Sequence, residues 1–184
     1  MTPPAGFAYI EEFITAEEET NLLEEIRALP LREAAYKQYT AKRRILSFGS
    51  QYDFSAHQLS SGPPLPAFIL PLREKVARWS GVAREEFGHA LLTHYPPGTA
   101  LGWHRDVPNF EIVIGVSLLG PCRMRFRPYP PQKGARKDIL QVTLEPRSAY
   151  RLQGAVRWEW QHSIPATPGE RYSVTFRSPR HSAS

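Results

Sequence analysis

The tripeptide His104-Arg105-Asp106 places an imidazole and a carboxylate two residues apart. In an extended segment, side chains at this spacing point to the same side, so both groups can bind one ion while Arg105 points away. A third ligand is available in His162, which stands far along the chain. Two histidines and one carboxylate form a facial triad, which holds iron(II) and leaves coordination positions open for a co-substrate and oxygen. The alternative is a strand histidine that hydrogen-bonds a nearby acid.

A second candidate group lies in residues 171–177, where polar and apolar side chains alternate strictly. In a strand, one face would carry the four polar members, Arg171, Ser173, Thr175 and Arg177. Burying a guanidinium without an anion is costly, and a dicarboxylate such as 2-oxoglutarate can make charge-assisted contacts to both arginines. We therefore predict a 2-oxoglutarate pocket beside the metal. The alternative is an edge strand with both arginines in solvent.

Two amphipathic helices are predicted in the first half of the chain. Thr15-Ala16-Glu17-Glu18 has the form of a capping box and precedes apolar residues at helical spacing, which predicts a helix that ends near Pro30. Apolar residues recur at intervals of three and four over residues 68–79, which predicts a second helix with a kink at Pro71. Residues 31–62 follow neither period and are expected to form short strands joined by mobile loops.

The second half of the chain is predicted to be β-rich, with proline and glycine between the strands. Strands are predicted over residues 90–95, 101–104, 112–119, 122–126, 139–144, 149–153 and 171–177. Strands of this number and length suit a jelly roll. Residues 112–116 are apolar on both faces, as expected for a central strand. The predicted class is mostly β with N-terminal helices (α+β), around a double-stranded β-helix (jelly-roll) core.

The composition is that of a globular domain, with 184 residues, 41% of them hydrophobic and 22% charged. No apolar run reaches the length of a bilayer span and no signal peptide begins the chain, so we expect a cytoplasmic monomer without membrane contact. Cys122 is the only cysteine, which excludes an internal disulfide and a cysteine-rich zinc site. The net charge of +5 and the pI near 9.5 favour polyanionic partners, although a solvated basic surface gives the same balance.

The order and spacing of the candidate residues resemble the AlkB family of 2-oxoglutarate-dependent oxygenases. The resemblance covers residues 92–177, through Tyr95-Pro96-Pro97-Gly98, the His-x-Asp tripeptide, His162-Ser163-Ile164, and arginines nine and fifteen residues beyond His162. The first half matches more loosely. Family membership implies a single domain over residues 1–184, with helices and a substrate lid over residues 1–88, a jelly-roll catalytic core over residues 89–178, and a tail at residues 179–184.

The resemblance also implies a role for each matching residue. His104, Asp106 and His162 would bind Fe(II), with 2-oxoglutarate and O2 as co-substrates. The residues implied to bind 2-oxoglutarate are Thr93, Tyr95, Arg171, Ser173 and Arg177. Among them, Arg171 would pair with the distal carboxylate, and Arg177 would lie near the metal-bound end. Thr93 stands where many relatives have asparagine.

The implied reaction is oxidative demethylation of N-alkylated nucleic acid, RNA or DNA, with release of succinate, carbon dioxide and formaldehyde. Basic and aromatic side chains can hold phosphates and stack on a flipped base of a methylated single strand. The lid residues of these types are Arg43, Arg44, Phe48 and Tyr52. Their alternative roles are packing for the aromatic rings and solvation for the arginines. Pro108 stands where DNA-repair members commonly carry an acidic residue, so the sequence is closer to members that act on RNA or protein.

Three other functions stay open from the sequence. They are a protein hydroxylase or demethylase of the same family, a catalytically silent nucleic-acid-binding domain on the same fold, and a cupin-like metalloprotein with the same triad. The last two leave Arg171 and Arg177 unexplained. Trp103 shares with Arg105 the face opposite the metal ligands, so we expect Trp103 to pack in the core.

Overall fold

The structure is a computed structural model that describes residues 3–36, 39–53, 58–131 and 139–181, with backbone alone at 34–36, 39–41, 50–53 and 58–61. In chain order the elements are β1 (Phe7–Ile10), α1 (Ala16–Arg27), β2 (Arg32–Tyr36), β3 (Tyr39–Asp53), β4 (Gln58–Ser61), α2 (Leu70–Ser80), β5 (His89–Tyr95), β6 (Leu101–His104), β7 (Phe110–Leu118), β8 (Cys122–Pro128), β9 (Leu140–Leu144), β10 (Ala149–Leu152), α3 (Ala155–Trp158), β11 (Trp160–Ile164) and β12 (Arg171–Pro179). Single 3-10 turns lie at Ala67–Ile69 and Arg84–Glu86.

The strands form two antiparallel sheets. The major sheet has eight strands in the order β1-β10-β7-β12-β5-β3-β2, with β4 paired to β3 outside this path. The minor sheet has four strands in the order β6-β11-β8-β9. Two sheets preceded by helices confirm the predicted α+β class with a jelly-roll core. In the described part of the chain, no helix is both long and apolar enough to cross a bilayer.

Two separate hydrophobic cores hold these layers together. The helix-side core joins α1 and α2 to the outer face of the major sheet, and it includes Ile26, Val76, Ile114 and Phe176. The inter-sheet core lies between the major and minor sheets, and it includes Val113, Met124, Phe126, Leu152 and Ile164. Strand β7 contributes Val113 to one core and Ile114 to the other, which confirms the prediction of a central strand that is apolar on both faces.

Strand β12 divides its side chains between the two sides of the major sheet. Tyr172, Val174 and Phe176 pack in the helix-side core. Because side chains alternate across a strand, Arg171 and Arg177 with the polar residues between them face the space between the sheets. The alternative of an edge strand with solvated arginines is wrong, since β12 lies between β5 and β7.

Both predicted helices are present in the structure. At the start of α1, the amide of Glu18 donates to Oγ1 of Thr15 at 3.1 Å, and the amide of Thr15 donates to Oε2 of Glu18 at 2.8 Å, which completes the predicted capping box. Helix α2 begins at Leu70 directly after a 3-10 turn, and Pro71 stands in its first turn. The expected kink at Pro71 is replaced by a helix start, because the missing N–H of proline costs nothing in the first turn.

The predicted strands of the second half match β5 to β10 and β12 closely. The expectation of short strands and loops over residues 31–62 is wrong, because β3 alone spans 15 residues. Residues Arg44 to Gly49 of β3 pair with β5 inside the major sheet. Gly49 has φ +76, and a Cβ there would lie 1.7 Å from the carbonyl oxygen of Gly88, so only glycine fits this crossing. Strand β11 was not among the predicted strands, although it carries His162.

Candidate active site

The two sheets bring His104, Asp106 and His162 together at one end of the space between them. His104 is the last residue of β6 and pairs directly with His162 of β11. The imidazole rings have centroids 4.2 Å apart. Asp106 follows two residues after His104, and one ligand atom from each of the three residues lies within 4.8 Å of the others. Among the described residues this is the group of donors that could hold a metal ion.

Hydrogen bonds orient the ligand atoms toward one another. Nδ1 of His104 lies 2.9 Å from the carbonyl oxygen of Gly102. Since a carbonyl oxygen only accepts, Nδ1 carries the proton and Nε2 keeps its lone pair. Oδ1 of Asp106 accepts from Nη2 and Nε of Arg177 at 2.9 and 3.1 Å, whereas Oδ2 lies 3.5 Å from Nε2 of His162. One carboxylate oxygen is therefore held by Arg177 and the other faces the histidines.

Electrostatics keep these groups in the protonation states that bind metals. Burial alone would raise the pKa of Asp106, but the charges of Arg177 and the nearby histidines outweigh it and hold this pKa well below its usual range. Burial, followed by the charge of His104, lowers the pKa of His162 to about 3. The site therefore presents an anionic carboxylate and a neutral imidazole at neutral pH. A facial set of two imidazole nitrogens and one carboxylate oxygen fits iron(II).

A buried guanidinium belongs to Arg171, the first residue of β12. Its side chain is among the largest that are fully buried, with 1% of the residue exposed. Nε donates to Oγ of Ser117 at 3.0 Å, while Nη1 is buried without a hydrogen-bond partner among the described residues. A buried, unpaired guanidinium nitrogen is costly unless an anion occupies the space in front of it. Arg171 therefore fits the carboxylate of an organic acid.

The walls beside Arg171 are polar and buried. Strand pairing sets Arg171 opposite Tyr95 and Ser173 opposite Thr93, and all four residues are at most 5% exposed. The guanidinium carbon of Arg171 lies 4.9 Å from the centroid of the Tyr95 ring. The five residues expected from the sequence to bind 2-oxoglutarate, including Arg177, therefore line up on two neighbouring strands of the major sheet, β5 and β12.

Three residues that the sequence analysis did not single out belong to this cavity or its border. Ser117 orients Arg171, as described above. Tyr150 on β10 is 8% exposed and covers Gly115, where a Cβ would lie 2.4 Å from the tyrosine ring. A glycine inside an otherwise apolar strand signals such a close approach, so Gly115 could have pointed to a large neighbour.

The third of these residues is Arg157, which is 3% exposed. Its Nη2 donates to the carbonyl oxygens of Val107 and Phe110 at 2.6 and 2.8 Å. These bonds fasten the segment that directly follows Asp106. The sequence gives no signal of this contact, because Arg157 and Asp106 are distant in the chain and Arg157 lies in a helix of four residues.

The four residues expected to bind the substrate do not share one position in the structure. Phe48 is 8% exposed and packs in the helix-side core, so the hypothesis that it stacks on a base is wrong. The side chain of Tyr52 lies outside the described residues. Ile45 pairs with Thr93, and Arg43, two residues away along β3, shares that face. Arg44 is exposed on the opposite face of β3.

Trp103 also differs from expectation, because it is half-buried on the outer face of the minor sheet instead of in a core. The guanidinium carbons of Arg125 and Arg127 lie 5.0 and 4.4 Å from its ring centroid. Its neighbour Arg105 points away from the metal ligands and donates to the carbonyl oxygen of Trp158 at 2.9 Å. Trp103 and Arg105 therefore face away from the metal ligands, as predicted. The predicted packing of Trp103 in a core is wrong.

Sequence comparison decides the family to which this site belongs. The profile of the 2OG-Fe(II) oxygenase superfamily matches residues 6–177, which is nearly the whole chain. The chain belongs to the 2OG-Fe(II) oxygenase superfamily. It is thus a dioxygenase that uses Fe(II), 2-oxoglutarate and O2.

Relatives and solved structures support the resemblance to the AlkB family. The chain is 27% identical over 181 residues to the alkylated DNA repair protein ALKBH8 homolog of Arabidopsis thaliana, covering 87% of this chain and 51% of that protein. It is 26% identical over 168 residues to the tRNA (carboxymethyluridine(34)-5-O)-methyltransferase ALKBH8 of Mus musculus, covering 88% of this chain and 24% of that protein. The structure of OsALKBH1 superposes with a TM-score of 0.73 at 13% identity, over 97% of this chain and 99% of that one, which shows a shared fold.

The predicted AlkB-family membership is therefore confirmed. The chain spans half the length of the Arabidopsis relative and about a quarter of the mouse relative.

Proposed function

We propose that this 2-oxoglutarate-dependent dioxygenase removes methyl groups from nitrogen atoms of nucleic acid. The observation that carries the proposal is the meeting of the His104, Asp106 and His162 donors with the unpaired Nη1 of Arg171 across one cavity. A metal site and an anion site that face one cavity fit a metal-chelating dicarboxylate. A cupin-like metalloprotein that does not use 2-oxoglutarate would leave the buried guanidinium of Arg171 without an anion to pair with.

Each side chain has a role that its contacts support. Nε2 of His104, a nitrogen of His162 and Oδ2 of Asp106 would hold the iron. Arg177 fixes the Asp106 carboxylate through Oδ1, so that its other oxygen stays turned toward the histidines. Arg157 holds the segment after Asp106 in place through two backbone carbonyl oxygens. None of these residues needs to exchange a proton during turnover.

The co-substrate is held at its other end by the major sheet. Arg171 pairs with the distal carboxylate of 2-oxoglutarate through Nη1, while Ser117 keeps the guanidinium plane fixed through Nε. Tyr95, Thr93 and Ser173 offer hydroxyl groups along the same wall. The buried, water-poor walls strengthen these polar contacts and shield the reaction from side reactions.

When bound, Fe(II) and 2-oxoglutarate let O2 oxidise a carbon–hydrogen bond while the keto-acid loses carbon dioxide. For an N-methyl substrate, one oxygen atom enters succinate and the other enters the methyl carbon. The hydroxymethyl product loses formaldehyde and returns the N–H group. The sum is N–CH3, 2-oxoglutarate and O2 giving N–H, formaldehyde, succinate and carbon dioxide, which balances in every element.

Nucleic acid is favoured as the substrate by two observations. The chain carries a net charge of +5, which suits a polyanion. The Arabidopsis relative is named for repair of alkylated DNA and the mouse relative for modification of tRNA. Pro108 offers no carboxylate near Asp106 for contact with a cationic base, which disfavours methylated bases whose recognition needs that contact.

The test combines turnover with metal content. Purified protein loaded with Fe(II) is incubated with 2-oxoglutarate and panels of methylated RNA, DNA and peptides, and succinate, formaldehyde and demethylated product are quantified by mass spectrometry. We expect one formaldehyde per succinate with a methylated oligonucleotide. Turnover of peptides alone would reject nucleic acid as the substrate.

The matched variants are His104→Ala and His181→Ala. His181 is an exposed histidine that pairs with Glu86 and does not belong to the group of metal donors. We expect His104→Ala to lose both stoichiometric iron and succinate formation, whereas His181→Ala keeps both. Full iron content and turnover in His104→Ala would reject the assigned site.

A further inference from the structure

The outer face of the minor sheet carries a concentration of positive charge. Strand β8 places Arg123, Arg125 and Arg127 on this face, because its alternate residues Cys122, Met124 and Phe126 pack in the inter-sheet core. Trp103 of β6 lies under two of these arginines. Arg105 and Tyr129 continue the group where these strands end, with the guanidinium carbon of Arg105 3.8 Å from the centroid of the Tyr129 ring. We call these six residues the outer arginine face.

These arginines lack the acidic partner that several other surface arginines have. Arg27, Arg84, Arg147 and Arg180 each lie within 4.0 Å of a glutamate oxygen. In the described ranges of the chain, no carboxylate lies that close to any of the four arginines of the outer arginine face. Their charge is therefore available to an anion from outside the protein.

The guanidinium groups are also held in position. Nε of Arg125 donates to Oγ of Ser163 at 3.1 Å, and Nε of Arg127 donates to Oε1 of Gln161 at 2.8 Å. Both groups are stacked against Trp103. Their terminal nitrogens make no hydrogen bond within the part of the chain that the structure describes, so the outward edge of each fork is free for a bidentate anion contact. A pre-positioned arginine loses less side-chain entropy when it binds.

The spacing of the arginines suits a linear polyanion. Side chains on one face of a strand repeat every two residues, which is about 6.8 Å. Neighbouring phosphates of a stretched single strand are separated by a similar distance. The exposed ring of Tyr129, 42% accessible, adds a surface on which a base can stack.

The outer arginine face is connected to the active site through the strands that carry it. Trp103 immediately precedes His104, and Arg105 stands between His104 and Asp106. Ser163 and Gln161, which hold Arg125 and Arg127, flank His162 on β11. Strand β6 is the edge of the minor sheet, so a chain with one nucleotide in the cavity can pass over this edge onto the outer face.

We propose that the outer arginine face binds the phosphate backbone of single-stranded nucleic acid, next to the nucleotide that enters the active site. The choice of partner rests on the proposed function. The arginines contact phosphates and carry no base code, so they add affinity and register without sequence preference. Binding should depend steeply on salt, since each neutralised phosphate releases counterions.

The test measures binding of labelled, unmethylated oligoribonucleotides and of oligodeoxyribonucleotides of the same sequence by fluorescence anisotropy at several salt concentrations. Arg123→Glu with Arg127→Glu is compared with Arg32→Glu with Arg78→Glu, which has the same net charge and changes two exposed arginines on β2 and α2. We expect the first variant to raise the Kd about tenfold or more, and to lower the slope of log Kd against log salt by about 1.4, for two lost contacts to a single strand. The second should change the Kd less than about twofold.

A single variant protects the test against a folding defect. The side chain of Arg123 is exposed and has no hydrogen bond or ion pair among the described residues, so Arg123→Glu removes charge without removing a structural contact. It should weaken binding by about threefold and leave the melting temperature unchanged. Equal weakening by the two double variants would show that net charge alone causes the effect, and would overturn the proposal. Unchanged oligonucleotide binding in the variant Arg123→Glu with Arg127→Glu would also overturn it. Loss of peptide binding in place of oligonucleotide binding would identify a protein partner and also overturn it.

Failure of this proposal is distinguishable from failure of the proposed function. Succinate formation in the absence of nucleic acid is measured for both double variants and should equal that of the wild type, because these arginines lie outside the cavity. If the wild type demethylates an oligonucleotide and the Arg123→Glu, Arg127→Glu variant does so at the same KM, the role proposed for the outer arginine face is refuted and the proposed function stands. If the wild type binds oligonucleotides through this face but never demethylates them, the function is refuted and the face stands.

Discussion

The two sheets contribute different chemistry to one cavity. The minor sheet supplies the histidine ligands from two adjacent strands, one of them an edge strand of four residues. The major sheet supplies the residues for an organic acid from β5, β7 and β12, which lie well inside it. The only ion pair described between the two groups joins Asp106 to Arg177. The histidine ligands therefore lie at the edge of the minor sheet. The residues for the organic acid lie in the middle of the major sheet, whose other face packs on the helix-side core.

This difference predicts that the acid site is formed before its ligand binds, at a cost in stability. The unpaired Nη1 of Arg171 is the sign of that cost, because a buried charge without a partner opposes folding. A protein can tolerate such strain where function needs it.

The largest effect is expected from Arg171→Met. Truncating one partner of a buried, charged contact costs about 2 kcal/mol or more, so the KM for 2-oxoglutarate should rise at least about thirtyfold. In the absence of 2-oxoglutarate, the same variant should melt at a higher temperature than the wild type. Arg171→Lys should recover part of the KM, since lysine restores the charge without the planar fork. Initial rates of succinate formation and calorimetry measure the two effects.

A matched control for that variant is Arg180→Met, which removes an exposed arginine beyond the end of β12. It should leave the KM for 2-oxoglutarate unchanged. A lower melting temperature in Arg171→Met would show that the ligand-free guanidinium stabilises the fold, contrary to the argument above.

A second effect concerns pH, because each sheet contains one buried histidine with a lowered pKa. Burial, followed by the charge of Arg177, lowers the pKa of His89 in the major sheet to about 3, and His162 in the minor sheet is lowered to the same value. In the unfolded chain both histidines take up a proton below about pH 6.5, whereas in the folded protein both histidine side chains stay neutral there. Stability of the metal-free protein is therefore lost as the pH falls from about 6.5 toward 3, and each histidine contributes about 2 kcal/mol of that loss by pH 5.

The variant His89→Gln separates the two histidines. Urea unfolding at pH 7 and pH 5, without metal, should show a loss of stability in the variant about half that of the wild type. An unchanged pH dependence in His89→Gln would mean that His89 is protonated in the folded protein. His94→Gln is the control, since His94 lies on the same strand as His89 and its Nε2 lies 2.8 Å from Oε1 of Glu170.

The smallest effect is expected from Ser117→Ala, which removes the hydrogen bond that orients Arg171. A hydrogen bond of this kind contributes about 1 kcal/mol, so the KM for 2-oxoglutarate should rise about three- to tenfold while the rate at saturation stays close to that of the wild type. Ser148→Ala is the matched control, because Ser148 is equally buried and its hydroxyl donates to the carbonyl oxygen of Glu145 instead of contacting Arg171. Equal KM values for both serine variants would contradict the role assigned to Ser117.

Local patterns were sufficient to predict most of the architecture. The capping box at Thr15 and the strict alternation of residues 171–177 each describe a single element, and such signals survive in a sequence because they act over a few residues. The order of His104, Asp106, His162 and Arg171 predicted the composition of the cavity. The cytoplasmic location, the monomeric state and the division of the domain near residue 88 stay predictions.

Features set by distant contacts were not predictable from the sequence. The length of β3 depends on pairing with β5, about forty to fifty residues away, and on a crossing at Gly49 that only the folded backbone defines. Phe48 has the residue type of a base-stacking side chain, but its face of β3 is covered by the helices. Trp103 was expected in a core because it lies on the face opposite the metal ligands, whereas the arginines of β8 cover it on the surface.

The position of Cys122 has a consequence for the durability of an oxygen-using enzyme. This lone thiol lies on the inner side of β8, is 5% exposed, and burial raises its pKa. Oxidation proceeds from the thiolate and requires access, so a covered and protonated thiol is a poor target. The only sulfhydryl of the chain is therefore chemically quiet, and stray oxidants formed in unproductive cycles have no reactive cysteine to damage.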